Sequence, residues 1–248
     1  ASDCASASCV SNKCAASCTD GLVNQTESDV DCGGPCDPCN FGQDCNVASD
    51  CTSNFCSADK CACNPNFSNT LVISELRSRG AAGGSDDFVE LYNPTASPIT
   101  VDGTWTIEAR SDTGMSYTVR YTGTGLVVPA KGHLLVGGSA YAGAVAKDAL
   151  LSSGITDAGS VVLKKAGAVI DAVCYHYSAG TQAALLGAGY VCEGASFPKT
   201  TGMSSVDTSL ERLPGGAVGH CFDSGVSAAD FHEITTPNPQ NLASPPTP

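Results

Sequence analysis

Between Cys18 and Cys32 the chain reads TDGLVNQTESDVDC, and within it Asp20, Asn24, Glu27, Asp29 and Asp31 offer five oxygen-bearing side chains in twelve residues. Several hard oxygen ligands on a flexible loop are what a calcium ion selects. If the stretch is extended, Glu27, Asp29 and Asp31 share one side. The spacing is not that of an EF-hand, which needs glycine at the sixth position and glutamate at the twelfth. The competing reading is a solvated acidic loop that turns at Asp20-Gly21. Calcium is therefore the one cofactor the sequence suggests, and none is required.

Cysteine is the second reactive residue type in bulk. There are 15, and 12 lie in the first 63 residues. Such density points to disulfides and to an oxidising, extracytoplasmic compartment. Cys4, Cys9 and Cys14 are spaced by five, as are Cys51, Cys56 and Cys61, with Asp3 and Asp50 ahead of each set at an offset of 47 residues. A fuller unit runs through Cys18, Cys32, Cys36, Cys39, Cys45, Cys51, Cys56 and Cys61, followed by Cys63. Eight cysteines allow 105 connectivities, so the pairing stays open. Structural zinc at Cys36-x-x-Cys39 is the rival use, but four-thiolate zinc sites usually carry two such knuckles. The partial repeat at residues 1–14 and the odd cysteine total predict a chain that continued upstream and was processed or cut. The absence of a basic start and apolar core before Ala1 agrees with that.

Three cysteines stand apart, Cys174, Cys192 and Cys221. Cys192–Cys221 is the first expectation for a disulfide and Cys174–Cys192 the second. The first choice leaves Cys174 paired elsewhere or as a buried thiol. Glu75 and Glu90 recur at similar places in neighbouring apolar runs. Two carboxylates brought together are a signature of acid/base or metal chemistry. With no metal-spaced partner beside them, structural hydrogen bonds or exposure are the expectation. His133, His176, His220 and His232 are scattered, and no G-x-S-x-G, H-E-x-x-H or phosphate-binding glycine loop occurs. The sequence thus gives no catalytic residues.

These residues must be carried by short elements. Charged residues make up 15% of the chain, there are 27 glycines, and the net charge is −13. Residues 1–68 hold nine acids and two lysines, and the remainder sixteen acids and ten bases, so both parts are acidic. A chain of this charge without a basic stripe repels phosphate backbones, which argues against nucleic acid as a partner. No apolar run is long enough to predict a membrane span. From residue 70 onward TLVISEL, DFVELYN, TWTIEA, YTVRYTG, GLVVP, HLLVG, SVVLKKAG and AVIDAVCY read as strands. Ala166-Gly167 reads as a hairpin turn. Trp105 is the expected centre of the core. The expected organisation is a disulfide-rich region 1–63 (repeats 1–14 and 18–61), a linker 64–69, a β-domain 70–241, and an extended, mobile Pro-rich tail 242–248.

Two resemblances follow from these strings. DGLVNQTESDVDCGGPCDPCNFGQDCNVASDCTSNFC resembles the cysteine-rich repeats of secreted bacterial and some animal surface proteins. LVISEL, DDFVELYNPTASPITVDGTWTIEA, VVPAKGHLLVGG, GSVVLKKAGAVIDAVCY, SLERLPGG and AADFHEITTPNPQN, in that order over residues 70–241, resemble the lamin-tail domain. That resemblance implies an immunoglobulin-like β-sandwich. The fold class expected is mostly β, a small disulfide-rich repeat region followed by such a sandwich.

The function expected is that of a non-enzymatic, secreted structural or adhesive protein at a cell surface. Its sharper form is a self-assembling fibre subunit whose partner is another copy. The alternative is a monomeric, calcium-dependent module that binds a surface protein or polysaccharide. The Ala/Gly-rich composition leans toward a bacterial source.

Overall fold

The computed structural model describes residues 9–10, 13–14, 18–24, 26–64 and 67–248; for 9–10 and 13–14 it describes the backbone alone. The chain divides into two compact units, residues 1–64 and 65–248. It is mostly β, with a disulfide-rich N-terminal region.

A unit of some 60 residues has too little apolar side chain to close a core, so cross-links must do it. Here the buried cluster is made of cysteines: Cys32, Cys39, Cys45, Cys51 and Cys61. The pairs are Cys18–Cys36, Cys32–Cys39, Cys45–Cys56 and Cys51–Cys61. Cys36 and Cys39 thus belong to different disulfides and form no zinc knuckle. The 47-residue offset is visible in the backbone. β1 (Cys9–Val10) pairs with β2 (Lys13–Cys14) as Cys9 opposite Cys14. β3 (Cys56–Ser57) pairs with β4 (Lys60–Cys61) as Cys56 opposite Cys61. Cys4 lies outside the described residues.

Asp50 ties this unit together. It is buried, and its carboxylate accepts from Ser28 Oγ (2.5 Å), Asn46 N (2.9 Å), Val47 N (3.1 Å) and Gly34 N (3.1 Å). Gly34 reaches it only as glycine. Its φ is +59°, and a Cβ there would overlap the Thr26 carbonyl. The Ser28 hydroxyl first, then the backbone donor at Asn46, hold the Asp50 carboxyl down to about 2. A folded-state pKa below the unfolded value of about 3.8 gives stability that is complete above pH ~3.8 and lost as the pH falls to about 2. Asp50→Asn should cost this unit about 1–3 kcal/mol at neutral pH, because backbone donors lose a charged acceptor. Amide exchange in residues 26–61 should show that loss, and the wild-type unit should lose protection over the same acid window.

The second unit opens with β5 (Val72–Arg77), β6 (Phe88–Tyr92), β7 (Ile99–Val101), β8 (Trp105–Ser111), β9 (Thr118–Thr122), β10 (Leu126–Val128) and β11 (His133–Gly137). It continues with β12 (Ala149–Leu150), β13 (Gly159–Lys165), β14 (Ala168–His176), α1 (Ala179–Leu185), β15 (Phe197–Pro198) and β16 (Ser209–Arg212). It closes with α2 (Ser227–Asp230) and β17 (Phe231–Ile234). The strand strings read from the sequence all lie on these strands. Ala166 and Gly167 both take positive φ, +49° and +80°, as a two-residue hairpin turn requires.

Six strands form one sheet in the order β12-β11-β6-β5-β16-β17, and five form another in the order β15-β14-β13-β8-β9. Leu76, Val89, Leu91, Leu134, Val136 and Leu210 of the first sheet share a core with Trp105, Ile107, Val161, Leu163, Val173 and Tyr175 of the second. This is a β-sandwich, and Trp105 is 1% exposed within it.

Two expectations are corrected here. Cys192 pairs with Cys174, not with Cys221, and Cys221 belongs to another disulfide. After β14 the chain makes α1 and returns along the same strand, where Cys174 Sγ lies 3.4 Å from Val191 O. Cys174 and Cys192 therefore meet within an 18-residue loop. The tail 242–248 is packed rather than mobile. Leu242 N donates to Asp148 (3.0 Å), Thr247 N donates to Lys131 O (2.9 Å), and the buried Tyr92 hydroxyl reaches Thr247 O (3.2 Å).

Candidate functional site

A strand with one solvated face alternates apolar and polar side chains. β6 does not, because all five of its residues are buried. Its second face, and those of β5, β11 and β16, lie against other chain segments. Register then places polar side chains side by side on that covered face. Glu90 of β6 sits opposite Glu75 of β5, which sits opposite Glu211 of β16, which sits opposite His232 of β17. His133 of β11 sits opposite Tyr92 of β6, and their rings stack at 4.9 Å. His220, from the segment between β16 and α2, enters over the same row.

The bonding is dense. Glu90 Oε1 accepts from Ser74 Oγ (2.5 Å), and Gln240 N donates to Glu90 Oε2. Glu75 accepts from Ser209 Oγ (2.5 Å). Glu211 accepts from Gly216 N (2.6 Å) and His232 Nε2 (3.0 Å), and lies 3.4 Å from His220 Nε2. His133 Nε2 lies 3.4 Å from His220 Nδ1 and 3.8 Å from Glu90 Oε1. Glu75, Glu90, His133 and His220 are each at most 1% exposed.

Burial sets the charges of this layer. It pushes the Glu75 carboxyl up to about 8, with Glu211 adding repulsion. It raises Glu90 well above the ordinary range, with Glu75 adding to it. Burial, and then the neighbouring His220, take the His133 imidazole down to about 2. Burial also opposes ionisation of Glu211, but hydrogen bonds from His220 and His232 outweigh it and hold that carboxyl down to about 2. Glu90, His133 and His220 each offer one donor atom, and these lie within 4.8 Å of one another.

A second buried polar group lies between the two sheets. Arg212 is fully buried and donates from Nη2 to both oxygens of Asp171 (2.9 and 2.7 Å). Its Nε donates to Ile73 O (2.8 Å), and Ile73 N donates to Asp171 Oδ2 (2.6 Å). The pair thus ties β16 and β5 of one sheet to β14 of the other. Burial, then the nearby Asp171 charge, push the Glu193 carboxyl up to about 8.

The residues singled out for calcium are engaged in hydrogen bonds. Asp31 accepts from Asp20 N (2.8 Å) and Gly21 N (3.0 Å). Asp20 accepts from Leu22 N (3.0 Å) and Asn24 Nδ2 (2.9 Å). Glu27 accepts from Asn24 N (3.0 Å), and Asp29 from Val30 N (2.7 Å) and Asp44 N (2.8 Å). These carboxylates shape the loop by binding backbone donors, as Asx-type turns do.

The expectation for Glu75 and Glu90 is corrected in one respect: histidines do accompany them. His133, His220 and His232, scattered in sequence, converge because β11, β16 and β17 belong to one sheet. The legible signal was the polar residue inside each apolar run, in VISEL, FVELY, HLLVG and SLER.

No family model matches the chain, and no curated protein matches it. Among solved structures, the crystal structure of a DUF4876 family protein from Bacteroides thetaiotaomicron VPI-5482 is similar. The TM-score is 0.47 at 12% identity, covering 68% of this chain and 72% of that chain. A likeness at this level carries no argument about function.

Proposed function

We propose that the chain is a non-enzymatic structural or adhesive module of an extracellular surface, and that it works as a single copy. The observation that carries this reading is the cystine core of the first unit, a construction that persists only in an oxidising compartment. The lamin-tail resemblance of residues 70–241 fits it, as does a sandwich whose carboxylate–imidazole layer is sealed from substrates. Its partner is another surface protein or a polysaccharide.

The single-copy reading rests on the sheet edges. An open edge strand is a template for adding another chain, and proteins blunt it with short strands or occupied backbone groups. Edge strands β12 and β15 have two residues each. On β9, Ser152 N donates to Arg120 O (2.7 Å) and Ser152 Oγ to Val119 O (3.1 Å). Strand addition, the route to a fibre, is thus hindered at β12, β15 and β9 of the two large sheets.

Sedimentation velocity of the unreduced protein tests the single-copy reading. One species near 25.0 kDa is expected, unchanged between calcium and EDTA. Larger species would restore the self-assembling fibre subunit, and a calcium-dependent change would restore the calcium module.

A further inference from the structure

We propose that Glu90, His133 and His220 form a buried binding site for one zinc-class divalent ion, which clips the segment after β16 onto the six-stranded sheet. The donor atoms are Glu90 Oε1, His133 Nε2 and His220 Nδ1. Zinc takes tetrahedral sets of imidazole nitrogen and carboxylate oxygen at about 2.0–2.1 Å, which places neighbouring ligand atoms about 3.3 Å apart. The separations of 3.4 Å between the two nitrogens and 3.8 Å between His133 Nε2 and Glu90 Oε1 sit close to that edge length. The nitrogen pair is also longer than an ordinary hydrogen bond.

The surroundings of His220 and Glu90 are those of metal ligands, while His133 Nδ1 is buried with no hydrogen-bond partner among the described residues. A metal-binding imidazole turns its second nitrogen to a carboxylate or carbonyl, which fixes the tautomer and the ring. His220 does so: Nδ1 faces His133 Nε2 while Nε2 faces Glu211 Oε1. Glu211 is itself anchored by His232 Nε2 and Gly216 N. Glu90 is oriented by Ser74 Oγ and Gln240 N. The Tyr92 ring lies against His133.

Charge points the same way. Three carboxyls stand buried in one cross-strand row, and a carboxylate in the interior is tolerated when it coordinates a metal. One carboxylate and two neutral imidazoles around a divalent ion leave a single positive charge beside Glu75 and Glu211. The donor set excludes calcium, which asks for six to eight oxygens.

The ion's role would be structural. Its ligands come from β6, β11 and the segment after β16, and Thr247 Oγ1 of the tail lies 3.5 Å from His133 Nε2. Gly216, Ala217, Asn238, Gln240, Pro245 and Thr247 contribute to a surface cleft of about 340 Å³ beside the tail.

The test uses the full, unreduced and tag-free chain, stripped with EDTA and titrated with zinc alone by calorimetry, with thermal unfolding in parallel. We expect about one ion per chain and a zinc-dependent rise in Tm. Glu90→Gln and His220→Ala should each weaken binding by at least about 100-fold, and Glu211→Gln by about 10–100-fold. His176→Ala should bind as wild type does. Wild-type protein that takes up no zinc, or uptake undiminished in Glu90→Gln, would overturn the proposal. Should the variants not fold, cobalt(II) bound to the wild type decides: intense tetrahedral visible absorption is expected, and a weak octahedral spectrum would overturn the site.

Discussion

Arg212→Met should destabilise the second unit by about 3–5 kcal/mol, a drop in Tm on the order of 10 °C, in thermal or urea unfolding of residues 65–248. The substitution keeps most of the side-chain volume and removes the charge. It leaves the Asp171 carboxylate buried between two sheets, with the Ile73 amide as its remaining donor among those described. It also strips Ile73 O of the Arg212 Nε bond. Breaking one half of a buried pair is far more costly than removing both halves, because the orphaned charge keeps its desolvation penalty. Arg212→Met combined with Asp171→Leu should therefore recover a large part of the loss. Arg212→Lys should not, since one ammonium nitrogen cannot stand both where Nη2 meets Asp171 and where Nε meets Ile73 O. Equal losses for Arg212→Met and the double variant would show that the pair contributes packing alone.

The strands of the second unit were legible because each is a short β-branched or aromatic run between turn residues, and a hairpin such as Ala166-Gly167 announces itself in two letters. The covered face of the six-stranded sheet was legible only as an anomaly. Glu75, Glu90, His133 and Glu211 interrupt apolar runs, but which of them meet depends on strand order, and strand order is a long-range property. Glu90 and His220 are 130 residues apart and share a point in space because β6, β5 and β16 are neighbours.

The first choice for the disulfide of the second unit, Cys192–Cys221, failed for the same reason, and the second choice, Cys174–Cys192, is the one formed. Cys174–Cys192 depends on the chain folding back after α1, which nothing in AVCYHY or YVCEG declares. The tail misled because Pro-rich composition reports what a segment does when nothing holds it. Here Asp148, Lys131 and Tyr92 hold it. The acidic loop 20–31 left two readings open because a carboxylate that binds a cation and one that binds a backbone N–H look alike in a sequence.

Reduction should abolish the first unit and leave the second largely folded. Each disulfide contributes roughly 2–4 kcal/mol, mainly by restricting the unfolded chain. The first unit has four among its described residues, and its buried cluster is the cysteines themselves. Without them, the 1–2 kcal/mol per residue of backbone entropy has no core to set against it. The sandwich keeps Trp105, Ile107, Leu134, Val161 and their neighbours in place whether or not Cys174–Cys192 is closed. Under reductant in native buffer, residues 18–61 should become fully susceptible to protease while a fragment beginning near residue 67 survives. That contrast follows from covalent closure in one unit and hydrophobic closure in the other.

The most direct test is peptide-mapped alkylation of protein taken from the cells that make it, denatured without reductant and then digested. The account predicts no label on Cys18, Cys32, Cys36, Cys39, Cys45, Cys51, Cys56, Cys61, Cys174 or Cys192. It also predicts cross-linked peptides joining 18 with 36, 32 with 39, 45 with 56, 51 with 61, and 174 with 192. Quantitative labelling of the first eight would contradict it, since a thiol form of that unit has no cystine core and belongs to no oxidising surface.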